Sequence, residues 1–367
     1  MKPILSIILL LIFSLIITET FAQEEVTVIN HLEKEINNKE IVKILTKNIA
    51  SFPEKTQISI ALINGESTIY IGVIRDNNTL KIINNKNSLF EIGSITKVFT
   101  SVLFSSFIYQ KKITLNETLQ AQFNFTLKNG GNITLQQLAN HTSGLPRLPT
   151  NIFTLFTETP NNPYVNYTPK MLEEYLKNDI ELEYPKGTKS AYSNLGAGML
   201  GYILTKKAKK TYEELLQETI FTPLQMTNST TFLNNDNLKK LIKGRNQKGE
   251  KTSNWDFTDA LVGAGGIKST VIDMEKFIRK NFEKTPIFLL PQKTTYTVNK
   301  KHKMGLGWHI LKNDTILFHN GATGGYRSSL TLKVAEKKAV IILSNISAFH
   351  NKSNAIDTLC FQLLKTL

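Results

Sequence analysis

Cysteine is almost absent from this chain: Cys360 is the only one in 367 residues. A lone cysteine cannot form an internal disulfide, so the fold must rest on a hydrophobic core. Acidic residues are in deficit, 30 against 44 basic, which leaves a net charge of +14. That excess invites a nucleic-acid reading, yet no basic arm, zinc spacing or RNA-binding signature accompanies it. The lysines are spread along the chain in short pairs such as Lys206-Lys207 and Lys209-Lys210, which is the pattern of a solvated basic surface. The six histidines show no His-Glu-x-x-His or comparable ligand spacing, so a metal centre has no motif to stand on. There is no internal repeat and no low-complexity linker. Hydrophobic residues make up 41% and charged residues 20%, which excludes disorder as the default.

Long apolar runs are missing too, except at the N-terminus. Met1-Lys2 is followed by Ile4 to Ile17, interrupted only by Ser6 and Ser14, and then by the small-residue site Thr20-Phe21-Ala22. This reads as a signal peptide, residues 1–22, cleaved after Ala22. A retained anchor is the competing reading, but a spanning helix needs about 20 apolar residues. The expectation is an exported bacterial protein, periplasmic or secreted, with no stable membrane anchor. Triplets such as Asn116-Glu117-Thr118 and Asn132-Ile133-Thr134 follow from an Asn-rich composition and are not read as glycan sites.

Residues 23–367 then read as one catalytic domain in two parts. Glu33 to Ala50 has near-helical apolar spacing. Gln57 to Ile63 and Ser67 to Ile74 are β-rich runs flanking the hairpin signal Asn64-Gly65. Val98 to Tyr109 reads as a buried helix with Ser94 near its N-terminus, and Pro169 to Leu176, Leu195 to Lys207 and Tyr212 to Phe221 as further helices. A helix starts near Thr270; Leu306 to Ile310, Thr315 to His319, Ser328 to Lys333 and Ala339 to Leu343 read as strands, and a last helix covers Ser353 to Leu367. The order predicts an α+β fold, an α/β sandwich whose antiparallel sheet (23–111 and 261–367) is flanked by helices, with a mainly helical part (112–260) inserted.

Three constellations carry chemistry. Ser94-Ile95-Thr96-Lys97 places a lysine three residues after a serine, on one helix face, where a partly buried amine can activate the hydroxyl. Such a pair also occurs by chance on surface helices. Tyr192-Ser193-Asn194 follows Pro185-Lys186-Gly187. A phenol can relay a proton if a cation such as Lys97 depresses its pKa, and an amide can accept from Lys97 while donating to a substrate carbonyl. His319-Asn320-Gly321 ends a predicted strand, where glycine admits a substrate backbone and histidine can donate to a carboxylate. Each of the last two is weak in isolation.

The three in this order, with Tyr192 about 100 positions after Ser94, resemble the serine β-lactamase and penicillin-binding-protein superfamily. The closer likeness is to its class C branch, with its D-alanyl-D-alanine carboxypeptidases and esterases. Leu138-Ala139-Asn140-His141-Thr142-Ser143-Gly144-Leu145-Pro146 and Gly263-Ala264-Gly265-Gly266-Ile267-Lys268-Ser269-Thr270 strengthen it. The resemblance implies Ser94 as nucleophile, Lys97 as its proton partner and Tyr192 as the group that helps activate Ser94 and protonates the leaving nitrogen. It implies that Asn194 orients the substrate amide, that His319 and Gly321 line the docking strand, and that the Ser94 and Ala322 N–H groups form the oxyanion hole. It implies no cofactor or metal, a β-lactam or peptidoglycan stem peptide as substrate, no nucleic-acid partner, and a monomer.

Two departures stand out. His319-Asn320-Gly321 replaces the Lys-Thr-Gly usual in class C β-lactamases, and Arg147 follows Leu145-Pro146 where those enzymes tend to place a glutamine. Besides hydrolysis of β-lactams or D-Ala-D-Ala peptides, the motifs leave open an esterase, a D-amino-acid amidase, or a penicillin-binding sensor that is acylated without turnover.

Overall fold

Period-two alternation on the strands and a helix apolar on all sides decide how this chain folds. The computed structural model describes residues 28–283 and 285–367, so the signal-peptide expectation lies outside the described residues. The strands are β1 (Ile29–Asn30), β2 (Gln57–Asn64), β3 (Ser67–Asp76), β4 (Thr79–Ile82), β5 (Phe90–Glu91), β6 (Lys268–Ser269), β7 (Tyr296–Asn299), β8 (His302–Met304), β9 (His309–Leu311), β10 (Ile316–Ala322), β11 (Arg327–Lys333) and β12 (Lys338–Ser344). The helices are α1 (Lys39–Ile49), α2 (Thr96–Tyr109), α3 (Leu135–Ala139), α4 (Phe153–Glu158), α5 (Pro169–Asn178), α6 (Asn194–Ala208), α7 (Tyr212–Leu216), α8 (Asn235–Lys240), α9 (Val271–Phe282), α10 (Pro286–Leu289) and α11 (Ala355–Leu364).

Ten strands form one sheet in the order β1-β4-β3-β2-β12-β11-β10-β9-β8-β7. It joins both chain ends through the antiparallel β2–β12 pair, Ile341 opposite Ala61. Every pair is antiparallel except β1–β4 at one edge. Because side chains alternate, β2 sends Ile58, Ile60 and Leu62 to one face and Ala61 and Ile63 to the other. On β12, Val340 and Ile342 oppose Ala339, Ile341 and Leu343 in the same way. The first face packs α1 and α11; the second packs α9 and the larger core. The sheet is therefore a layer between helices, which is the expected α+β sandwich. Cys360 lies in the first face, where burial pushes its thiol up to about 12 and keeps it inert.

The structure adjusts several elements. The hairpin loop is Gly65-Glu66 rather than Asn64-Gly65: Asn64 pairs with Ser67, and Gly65 supplies the positive φ of +59°. Helix α1 begins at Lys39, not Glu33, because the Asn38 side chain accepts from the N–H groups of Glu40 and Ile41 and starts the helix there. Of the run Leu306 to Ile310 only His309 and Ile310 are strand, since Gly307 turns with φ +70°. Strand β10 runs past His319 to Ala322, so Asn320 and Gly321 lie inside it. Between β5 and β6, the described residues contain helices, turns and isolated bridges but no strand longer than one residue.

Helix α2 has no polar face; its residues from Thr96 to Phe107 are buried. It is the core helix of the molecule, with Phe99 stacked on Phe277 of α9 and α6 and α10 packed beside it. Such a helix cannot tilt to suit a substrate, which makes its first turn a rigid platform.

Candidate active site

Ser94 sits in a 3-10 turn, Gly93–Ile95, that leads directly into α2. Gly93 makes the turn with φ +51°, and a Cβ there would lie 2.5 Å from the Ala322 nitrogen. The close approach holds Ser94 against the end of β10. Strand β9 pairs β10 only from Ile316 to Phe318, so from His319 to Ala322 that side of β10 has no strand partner. An open strand edge beside a nucleophile is a place where an extended substrate can add its own backbone.

Lys97 is buried one helical turn after Ser94. Its Nζ lies 2.9 Å from Ser94 Oγ and donates to Asn194 Oδ1 at 2.8 Å and to the Ala264 carbonyl at 2.7 Å. Burial, and then the Arg147 charge, hold this amine well below the usual 10.5. A free amine has two N–H groups and one lone pair. Asn194 Oδ1 and the Ala264 carbonyl are acceptors only and consume both N–H groups. In the free amine the lone pair then faces Ser94; as the ammonium, Nζ donates to Ser94 Oγ across the same 2.9 Å contact.

Tyr192 completes the centre. Its ring lies beneath Lys97 Nζ, 4.8 Å from the centroid, with the Arg147 guanidinium carbon 5.0 Å away and the His141 ring centroid at 4.5 Å. The Ser94 side chain lies close enough to the phenol to lower its pKa. The sequence reading had a nearby cation depressing this phenol. The structure reverses it: burial pushes Tyr192 up to about 12, outweighing Ser94, Arg147 and Arg327. The reason is the phenol's own burial, which disfavours its charged form more than the nearby cations favour it. Tyr192 is therefore a protonated phenol beside an amine held well below its usual pKa.

Two stretches noted in the sequence brace this centre. Ser193 Oγ donates to the Pro146 carbonyl at 2.7 Å and accepts from Gly196 N–H at 2.9 Å, capping α6. The His141 ring Nδ1 accepts from Ser193 N–H at 3.2 Å, and the Arg147 carbonyl accepts from the N–H groups of Asn194 and Leu195. On the other side, Thr100 Oγ1 donates to the Gly263 carbonyl at 2.7 Å, which fixes the loop that offers Ala264 to Lys97. The sequence pointed to these stretches as family-like but gave them no role. The Ala264 contribution is a backbone carbonyl, for which side-chain identity carries no signal.

His319 is buried and its Nδ1 lies 2.6 Å from the Asn320 carbonyl, so that nitrogen carries the proton. Its Nε2 is then an acceptor, and it has no partner among the described residues. Burial, then the His309 and Lys97 charges, hold it well below 6.5. The expected donor to a carboxylate is thus a neutral acceptor on the β10 face turned towards Lys97, because the one-residue alternation of β10 points it inwards. Ser94, Lys97, Tyr192 and Asn194 come together; Gly321 and Ala322 lie on the adjoining strand edge.

A family model described as Beta-lactamase matches residues 45–360. The chain belongs to the Beta-lactamase family. It is a hydrolase of the β-lactamase and D-alanyl-D-alanine carboxypeptidase type. Among curated relatives it is 26% identical to the D-alanyl-D-alanine-carboxypeptidase/endopeptidase AmpH of Escherichia coli (strain K12), covering 84% of this chain and 85% of the relative. It is 24% identical to a β-lactamase of Psychrobacter immobilis, covering 94% and 90%. A solved class C β-lactamase superposes with TM-score 0.72 at 19% identity, covering 91% of this chain and 98% of that one. A β-lactamase/D-alanine carboxypeptidase from Pseudomonas syringae gives 0.71 at 18%, covering 89% and 97%. At those identities the solved structures establish the fold.

A buried acid lies just outside this centre. Glu91 on β5 accepts from Trp255 N–H at 2.8 Å, beside the Lys268–Asp256 pair and the Thr323 hydroxyl. Burial pushes it up to about 7. An acid raised on folding is neutral in both states below pH 4.5, and carries a growing penalty as pH climbs to 7. Stability is therefore lost on going up through that window. A Glu91→Gln variant keeps an oxygen for Trp255 and has no charge to bury. Its melting temperature should match the wild type near pH 4.5 and exceed it at pH 8, by an advantage of about 3 kcal/mol at most. A constant difference across that range would show that Glu91 does not titrate there.

Proposed function

We propose that the protein is an exported serine hydrolase that forms an acyl-enzyme on Ser94 and acts on β-lactams or on peptides ending in D-Ala-D-Ala. The observation that carries this reading is buried Lys97, whose Nζ lies 2.9 Å from Ser94 Oγ while Asn194 Oδ1 and the Ala264 carbonyl accept from it. Attack by Ser94 Oγ on the substrate carbonyl passes the serine proton to Lys97 Nζ. The tetrahedral oxygen is held by the Ser94 and Ala322 N–H groups. As the carbon–nitrogen bond breaks, Tyr192 gives its phenol proton to the leaving nitrogen. Lys97, protonated and far more acidic than a phenol at about 12, restores that proton. Water then attacks the ester, and the same groups carry its proton in reverse. The Met1-Lys2 start and the apolar run Ile4 to Ile17 support export, and we read the mature protein as an unanchored monomer acting on a small-molecule or peptide substrate, without nucleic acid.

His319 favours a second reading, an esterase or D-amino-acid amidase built on the same machinery. An uncharged acceptor does not pair with the carboxylate of a β-lactam as a lysine would. Intact-mass spectrometry with a penicillin and a chromogenic cephalosporin, the adduct mapped to the peptide bearing Ser94, separates the cases. An adduct that clears as cephalosporin is consumed makes the protein a β-lactamase. One that persists for hours makes it a carboxypeptidase or a non-turning-over sensor. Turnover of short esters with no β-lactam adduct moves it to the second reading. No acylation of Ser94 by any of these would sink the acyl-enzyme mechanism.

A further inference from the structure

We propose that Arg147 forms an anion subsite on the acyl side of the reactive centre, selecting substrates whose acyl group carries a carboxylate. The inference rests on the reading of Ser94 as nucleophile and Asn194 as the group that orients the substrate amide. Arg147 is exposed, and its guanidinium lies over the Tyr192 ring at 5.0 Å. Among the described residues no carboxylate pairs with it. Two more enclosed cations around the centre are occupied: Arg327 pairs with Asp357, and Lys268 with Asp256. Arg147 is therefore the cation left to a ligand.

Its position is fixed from behind. The Arg147 carbonyl accepts from Asn194 N–H at 3.0 Å and from Leu195 N–H at 3.2 Å, the first residues of the fifteen-residue helix α6. The backbone of Arg147 is thus tied to the first turn of α6 and so to Asn194. The stacked ring restrains the guanidinium, so less freedom is lost when it binds. At the opposite end of the centre, the third motif offers no cation, because His319 spends its one N–H on Asn320. A substrate carboxylate is attracted to the Arg147 end. With Asn194 orienting the substrate amide, that end is the acyl side.

The test is binding, measured apart from chemistry. Ser94→Ala is titrated calorimetrically with N-succinyl-D-alanyl-D-alanine and with N-butanoyl-D-alanyl-D-alanine, which differ by one carboxylate in the acyl group. The succinyl peptide should bind about tenfold more tightly, as expected for a charge-assisted guanidinium contact. In Ser94→Ala/Arg147→Gln the ratio should fall to about twofold or less, and in Ser94→Ala the ratio should shrink as salt is raised. Arg147 is exposed, so its replacement does not threaten the fold. Equal affinities in Ser94→Ala, a ratio indifferent to Arg147→Gln, or no binding of either peptide would overturn the subsite. A normal ratio alongside wild-type protein that neither acylates nor turns over would instead overturn the hydrolase mechanism and leave the anion subsite in place.

Discussion

Replacing Ser94 with alanine should lower kcat/KM by about 10³-fold or more on every substrate the enzyme turns over, and Lys97→Met should cost nearly as much. The double variant should be scarcely worse than either alone. The two side chains act as one unit: the amine has nothing to deprotonate without the hydroxyl, and the hydroxyl has no base within reach without the amine. Asn194 Oδ1 and the Ala264 carbonyl each accept from Lys97 Nζ, so loss of a proton leaves the lone pair directed at Ser94. The pH profile gives a second, independent reading. Because burial and Arg147 hold Lys97 well below 10.5, activity in the wild type should rise with pH along a limb that lies far to the acid side of an ordinary lysine. Tyr192, pushed up to about 12, should set no falling limb near neutrality. Steady-state kinetics from pH 5 to 10 would check both. Full activity in Lys97→Met, or additive losses in the double variant, would refute a lysine base.

How much of this was legible beforehand follows from what each feature depends on. The layered sheet was readable because β2 and β12 write their two faces in alternating residues, and α2 was readable as buried because no side of it is polar. Boundaries failed where a side chain outside the pattern decides them, as when Asn38 starts α1 or Gly65 takes the turn one residue later than Asn64-Gly65 suggests. Ser94, Lys97, Tyr192 and Asn194 could be picked out by order and spacing. Their protonation could not, since it depends on burial that only the packed core creates. That is why the depressed pKa set as a condition for proton relay by Tyr192 is not found, and why His319, read as able to donate, instead accepts. The Ala264 carbonyl was invisible because the backbone has no letter in the sequence. Arg147 was visible only as a departure, and its meaning required knowing that no acid pairs with it.

Gly321→Ala should damage both stability and acylation. A Cβ at Gly321 would lie 1.8 Å from the Ile92 carbonyl oxygen and 2.5 Å from Ser328 Oγ. Neither can yield cheaply. Ser328 Oγ donates to that same Ile92 carbonyl at 2.8 Å, and Ile92 N–H donates to Ile267, so residue 92 is pinned from both sides. Ile92 immediately precedes Gly93 and Ser94, which means the clash is relieved only by moving β10 away from the nucleophile. Overpacking of this kind costs about 1–3 kcal/mol of stability. The functional loss is larger, because a displacement of about 1 Å between reacting groups can lower the rate about a hundredfold. Gly131→Ala serves as the control, since a Cβ there meets only Gln120 at 3.3 Å, on the surface of the helical part. The variants should be compared by thermal melting and by single-turnover acylation. Gly321→Ala should melt lower and acylate at least about a hundredfold more slowly, with Gly131→Ala near wild type on both. If Gly321→Ala acylated at the wild-type rate, the β10 edge would have no part in aligning substrate with Ser94, and the oxyanion role given to Ala322 would fall with it.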